Sequence, residues 1–138
     1  LAYTAKISGP LLDRIDIHVE VPALDYNELS RTEPAEPSAE IRSRVIAARA
    51  FAAARTEGAL TCNGLMTPAD IRRFCRMDDA GGRLMQTAYD KFALSARAYD
   101  RILKVARTAA DFDKSEIIRK EHIGLALQLR SMSKKYWQ

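Results

Sequence analysis

The residues of this chain best suited to chemistry are arginines. Arg14 closes the run Leu11-Leu12-Asp13-Arg14 ahead of an alternating segment, and Arg97 and Arg101 lie one helical turn apart in Leu94-Ser95-Ala96-Arg97-Ala98-Tyr99-Asp100-Arg101. A guanidinium offers planar, paired donors that suit a carboxylate or a phosphate. On spacing alone, Arg14 reads first as the partner of Asp13 or Asp16, an exposed pair of small energetic weight, and second as a phosphate ligand. Arg97 leans towards an anion. It falls in the first turn of a helix, where the macrodipole disfavours a cation, and a residue that breaks a local rule points to function. Arg101 and Lys104 continue the same face and are equally well explained by solvation.

Other chemistries lack their parts. The chain holds no G-x-x-x-x-G-K-[ST] phosphate loop, so by itself it is expected neither to bind ATP tightly nor to hydrolyse it. His18 and His122 are far apart and have no Ser-His-Asp context. Each is expected to be structural, His18 on the polar face of a strand and His122 near a helix start. Cys62 and Cys75 form no C-x-x-C pair and have no histidine cluster nearby, so no metal site is expected. Two lone cysteines fit a reducing cytoplasm.

These arginines need elements to position them. From Leu94 to Asp111, residues Tyr99, Ile102, Leu103, Ala106 and Ala110 recur at helical spacing on one side, with Arg97, Arg101, Lys104 and Thr108 opposite. Ser95 stands where an N-cap belongs. Ahead of it, Thr67-Pro68-Ala69-Asp70 starts a short helix that ends near Arg76, and Gly81-Gly82 opens or interrupts a helix carrying Leu84, Met85, Ala88, Tyr89 and Phe92. A helix follows Ser38, from about Ala39 to Thr56, with a stripe of Ile41, Val45, Ala48 and Ala52 and a stop at Gly58. The last helix runs from about Lys120 to Ser131, preceded by Ile117-Ile118 as an extended anchor. Phe92, Tyr99, Ile102, Leu103, Ile123 and Leu127 are expected to form the core.

Ile15-Asp16-Ile17-His18-Val19-Glu20-Val21 alternates strictly and ends at Pro22, the pattern of a strand with one buried face. No second segment reads as its partner, and one strand makes no sheet. Ser8-Gly9-Pro10 marks a turn, Asp25 to Leu29 a single helical turn, and Arg31 to Ser38 a linker. The expected fold is therefore mainly α. Residues 1–38 form an extended arm with one orphan β-strand and a linker, and residues 39–138 form a helical bundle.

The chain has 138 residues, 47% of them hydrophobic, and a net charge of +4. That is enough apolar content for a core, and mildly basic. No apolar run approaches the length of a membrane span, so no membrane partner is expected. Leu1 is not a natural start residue, which suggests a fragment of something longer.

Three blocks carry a resemblance. Ile7-Ser8-Gly9-Pro10-Leu11-Leu12-Asp13-Arg14-Ile15-Asp16-Ile17-His18-Val19-Glu20-Val21-Pro22 closely resembles a segment of the bacterial magnesium-chelatase-like AAA+ ATPases, the ComM/YifB family. Leu94 to Asp111 resembles the L-S-x-R-x-x-x-R-[IV]-L-[KR]-V-A-R-T-[IA]-A-D segment of that family. Ile118, His122-Ile123 and Ala126-Leu127-Gln128-Leu129-Arg130 resemble its closing I-x-x-x-H-[IV]-x-x-A-L-x-[YL]-R. Order and spacing match over nearly the whole chain. Ala109 stands where Ile is common and Leu129 where Tyr is common.

The resemblance implies the last strand of an AAA+ core followed by its helical lid, within a ring-forming ATPase. Arg14 matches an arginine finger offered in trans to a neighbouring subunit's ATP, and Arg97 the second-sensor arginine that contacts ATP phosphate; Arg101 is a weaker candidate for the same phosphate. ATP and Mg²⁺ would be cofactors of the parent, with the phosphate loop upstream. The implied partners are the upstream core, neighbouring subunits of a homo-oligomeric ring, and DNA remodelled in competence and recombination. Two other classes fit the residues alone: a free-standing helical nucleic-acid-binding module and a protein-interaction bundle. The orphan strand argues against both.

Overall fold

The structure is a computed structural model that describes residues 14–19, 21–23, 25, 26, 30 and 34–135. Among these residues, five α-helices follow in order: α1 over Ser38–Arg55, α2 over Pro68–Phe74, α3 over Asp79–Phe92, α4 over Ala96–Phe112 and α5 over Lys120–Lys135. A 3-10 turn at Asn63–Leu65 lies between α1 and α2. The chain is mainly α, as the helical periodicity requires.

The helices begin where side chains satisfy free N–H groups. Ser95 Oγ accepts from Ala98 N at 3.1 Å to start α4. Thr67 and Asp70 form a reciprocal capping box over α2, with Pro68 at the first helical position. The Thr67 hydroxyl and N–H hold the Asp70 carboxyl below its ordinary range. Asp78 caps α3 by accepting from Gly81 N at 2.6 Å. The Gly81-Gly82 pair therefore sits inside the first turn of α3. A Cβ on Gly81 would lie 2.9 Å from Asp78 Oδ1, so a side chain there would push the capping carboxylate aside.

α1 differs from expectation at both ends. Pro37, not Ser38, precedes its first turn, and no side chain caps it. At the far end Gly58 N donates to Ala53 O at 2.9 Å and Glu57 N to Ala54 O at 3.3 Å. This is a Schellman closure in which Glu57, at φ 51°, takes the left-handed position usually held by glycine, and Gly58 follows at φ 76°. Of the expected stripe only Ala48 is buried and Ala52 half-buried; Ile41 and Val45 are exposed. α1 packs on α4 through its C-terminal half, which leaves the apolar residues of its first turns in solvent.

α4 is the hub. It packs against α1, α2, the 3-10 turn and α5, while α3 packs on α5. Ile102, Leu103, Ala106 and Ala110 are buried as expected, together with Ile118, Ile123, Ala126, Met85, Ile71 and Met66. Tyr99 and Leu127 pack against this core partly buried. Phe92 is not a core residue: it lies at the last turn of α3, more than a third exposed, with Lys91 Nζ 5.7 Å from its ring centroid. Ile118 is fully buried and forms an isolated parallel bridge with Met77. This contact joins the α2–α3 loop to the α4–α5 loop, so the extended anchor is present.

Among the described residues no strand ladder occurs, and Ile15–Val21 shows none over its described part. A strand needs a partner backbone. Here His18 N donates instead to Leu129 O of α5 at 2.7 Å, and Arg130 Nη1 donates to Ile15 O at 2.9 Å. The alternating apolar residues stay open, Ile17 at 48% and Val21 at 84% exposure. The expected turn at Ser8-Gly9-Pro10 lies outside the described residues, as does most of Asp25–Leu29, although Ser30 N reaches Tyr26 O at 3.0 Å. Among the described residues, no helix is long and apolar enough to cross a membrane.

Candidate functional site

The basic strip of α4 is resolved by the fold into three different residues. Arg97, in the first turn after the Ser95 cap, is exposed and has no ion-pair partner among the described residues. Arg101, one turn further, is half-buried and pairs with Asp16 of the N-terminal segment. Lys104 spends its ammonium on Gly64 O at 3.0 Å. Thr108 ends the strip and donates to Lys104 O at 2.9 Å. Of the three basic residues, Arg97 alone is exposed, and it sits at the positive end of a helix dipole, where it adds to the attraction for an anion.

Arg14 is exposed at the start of the alternating segment. Asp16, one of the two carboxylates proposed for it on spacing, is taken by Arg101. The structure does not bring Arg14 and Arg97 into contact.

Beneath the strip lies a polar network that the residue pattern did not disclose. Asp111, at 2% exposure, accepts from Arg107 Nε at 3.1 Å, Arg55 Nη2 at 2.9 Å and Asn63 Nδ2 at 2.7 Å. Arg107, at 0% exposure, sends Nη1 to Glu116 O at 2.8 Å and Nη2 to Ser115 O. Burial pushes the Arg107 guanidinium below its ordinary value, and Asp111 opposes that shift. Asn63 Nδ2 also reaches Thr108 Oγ1 at 3.0 Å. One carboxylate thus ties α1, the 3-10 turn and α4 together, and Arg107 satisfies carbonyls of the loop that follows. The only signal in the sequence was Arg107 and Asp111 one turn apart on a helix, a spacing equally common on a solvated face.

His122 is structural, as expected. Its Nδ1 accepts from Arg119 N at 2.9 Å, the part a glutamate plays in a capping box, and Nε2 meets Asp113 Oδ2 at 2.9 Å. His18 is half-buried rather than on an open polar face, and neither ring nitrogen has a hydrogen-bond partner among the described residues. Cys62 is exposed and Cys75 buried; burial pushes the Cys75 thiol up to about 11. Among the described residues, no three His, Cys, Asp or Glu side chains converge as metal ligands.

The described residues thus form a helical bundle around a capped hub helix, with Arg97 exposed at its start and a histidine buried in the closing helix. The chain belongs to the magnesium chelatase, subunit ChlI C-terminal family, whose profile matches residues 35–130. The profile for magnesium chelatase, subunit ChlI, matches residues 1–29. The chain is 37% identical over 133 residues to competence protein ComM of Haemophilus influenzae, covering 96% of this chain and 26% of that protein. It is 36% identical over 135 residues to the uncharacterized protein YifB of Escherichia coli, covering 97% of this chain and 26% of that protein. YifB of Salmonella typhimurium is 32% identical over 135 residues, with the same coverage. The chain spans about a quarter of the length of these relatives.

Proposed function

We propose that this chain is the C-terminal part of a ring-forming AAA+ ATPase, with residues 1–38 as an arm from the ATPase core and residues 39–138 as its lid. Arg97 contacts the phosphates of ATP bound by the upstream core and couples lid position to nucleotide state. Arg14 serves as an arginine finger in trans, and Arg101 supports Arg97 when its pair with Asp16 opens. When bound, ATP with Mg²⁺ supplies the phosphoryl group whose developing charge these guanidiniums stabilise. The ring is cytoplasmic, its partners are its own neighbouring subunits and DNA, and hydrolysis drives DNA remodelling in competence or recombination.

The observation that carries this function is Arg97 itself. An exposed guanidinium with no ion-pair partner among the described residues, at the dipole-disfavoured start of a well-capped helix, loses stability locally and gains a ready anion contact. Family membership supports the AAA+ context.

Arg97→Ala and Arg14→Ala in the intact parent test the two roles. Both should lower ATP turnover, Arg14→Ala by a factor of about 10³–10⁵ if it acts as a finger. Mixing Arg14→Ala subunits with subunits that lack a working phosphate loop but keep Arg14 should restore part of the rate, because the two defects then sit on opposite sides of a shared site. Full turnover in both single variants would remove the proposed roles. Loss of the fold in either would make that residue structural.

A further inference from the structure

A second cationic site lies away from Arg97. At the junction of α1, α2 and the α4–α5 loop, a cavity of about 370 Å³ is lined by Phe51, Arg55, Arg73, Phe74, Arg76 and Glu116, among others. Its lining thus includes three arginines and one glutamate. Arg55 is fixed: its Nη2 is held by Asp111 and Asn63, and its guanidinium lies 5.6 Å from the Phe74 ring centroid. Arg55 Nε and Nη1 are buried with no hydrogen-bond acceptor among the described residues. Arg73 stacks on the same ring at 4.9 Å. Arg73 and Arg76 are exposed, and neither has an ion-pair partner among the described residues.

Like charges gathered around one cavity repel each other when it is empty and are relieved by an oxyanion. Buried guanidinium N–H groups without acceptors add to that balance, because an unmade hydrogen bond to a charged group is costly. Counting Glu116 and the Asp111 partner of Arg55, the three arginines keep an excess of one positive charge, and a phosphate monoester, which carries about −2 near neutral pH, brings three acceptor oxygens to their donors. A carboxylate has one charge and two oxygens. The volume falls within the range of roughly 300–1,000 Å³ typical of small-ligand sites, and Phe51 provides an apolar wall for a flat ring.

We propose that the Arg55–Arg73–Arg76 cavity binds a phosphate monoester carried on a nucleotide-sized group, from a free mononucleotide or from the 5′-phosphorylated end of a nucleic-acid strand. The site is independent of the ATP contact assigned to Arg97, which does not line it.

Arginine side-chain Nε–Hε correlations in ¹H–¹⁵N spectra of this chain report the site directly, in about 0.15 M salt so that diffuse attraction is screened. Inorganic phosphate and a nucleoside 5′-monophosphate should each move the Arg55, Arg73 and Arg76 signals along one saturable curve, with a dissociation constant of about 1 mM or below. The double variant Arg73→Gln/Arg76→Gln should bind about tenfold more weakly or worse while its backbone amide spectrum stays that of the folded chain, since both positions are exposed. A 5′-phosphorylated oligonucleotide that binds more tightly than the mononucleotide would identify a strand end as the source. Equal affinities would identify the free nucleotide. Unsaturable shifts, undiminished binding by the double variant, or equal binding of an unphosphorylated strand would each overturn the proposal.

Discussion

Replacing Asp111 by Ala should destabilise this chain by about 3–5 kcal/mol, the cost of leaving a buried charge without its partner. Asp111 is a buried carboxylate beneath α1, and it receives hydrogen bonds from Arg107, Arg55 and Asn63. Without it, Arg107 keeps the carbonyls of Ser115 and Glu116 but loses its counter-charge at 0% exposure. Arg55 keeps only Asn63 Oδ1, at 3.1 Å. A domain is stable by about 5–15 kcal/mol, so this single change removes a large share. With a urea slope of about 2 kcal/mol per molar, the unfolding midpoint should fall by roughly 2 M. Far-UV circular dichroism in urea at neutral pH is a sufficient assay for Asp111→Ala, Arg55→Ala and the double variant. The cycle should show a coupling of about 1–3 kcal/mol, because once the carboxylate is gone the partly buried Arg55 has less to lose. A loss below about 1 kcal/mol for Asp111→Ala, or additive single effects, would show that the network does not hold α1 onto α4.

The remaining expectations concern the core and the thiols. Leu103→Ala should cost about 2–5 kcal/mol in urea unfolding, whereas Phe92→Ala, at a partly exposed helix end, should cost less than about 1; the reverse order would misplace the core. With a thiol-specific reagent at mildly alkaline pH, Cys62 should react at once and Cys75 only as fast as the chain opens; equal rates would contradict the burial of Cys75. The folded Cys75 thiol keeps its proton to about 11 against an ordinary value of 9.0, so its contribution to stability is complete below pH 9.0 and lost as pH rises towards about 11. A Cys75→Ala variant should show a flatter alkaline limb, and an unchanged limb would count against that linkage.

Much of the helical plan was legible because it rests on local chemistry. Ser95, Thr67 and Pro68 mark helix starts through hydrogen bonds and backbone angles that involve neighbours in sequence. The 3.6-residue spacing of Ile102, Leu103, Ala106 and Ala110 states which side of α4 is dry. The same spacing put Arg97 on the open side, and the structure leaves it exposed.

Pattern failed where partners are distant in sequence. Periodicity alone says that Ile41 and Val45 want burial, but only the docking angle of α1 on α4 decides that Ala48 is covered and they are not. Asp16 sits two residues from Arg14, yet it pairs with Arg101 because the fold lays the N-terminal segment across α4 and α5. Arg107 and Asp111, one turn apart on α4, become a buried pair only where α1 and the loop after α4 close over them, and that closure makes breaking the pair costly. Local hydrogen-bonding and steric rules are written into neighbouring residues, so the sequence by itself determined the helices, the Ser95 and Thr67 caps and the face that offers Arg97. Which charges are buried, paired or left open depends on segments brought together from opposite ends of the chain, and that only the tertiary structure decided.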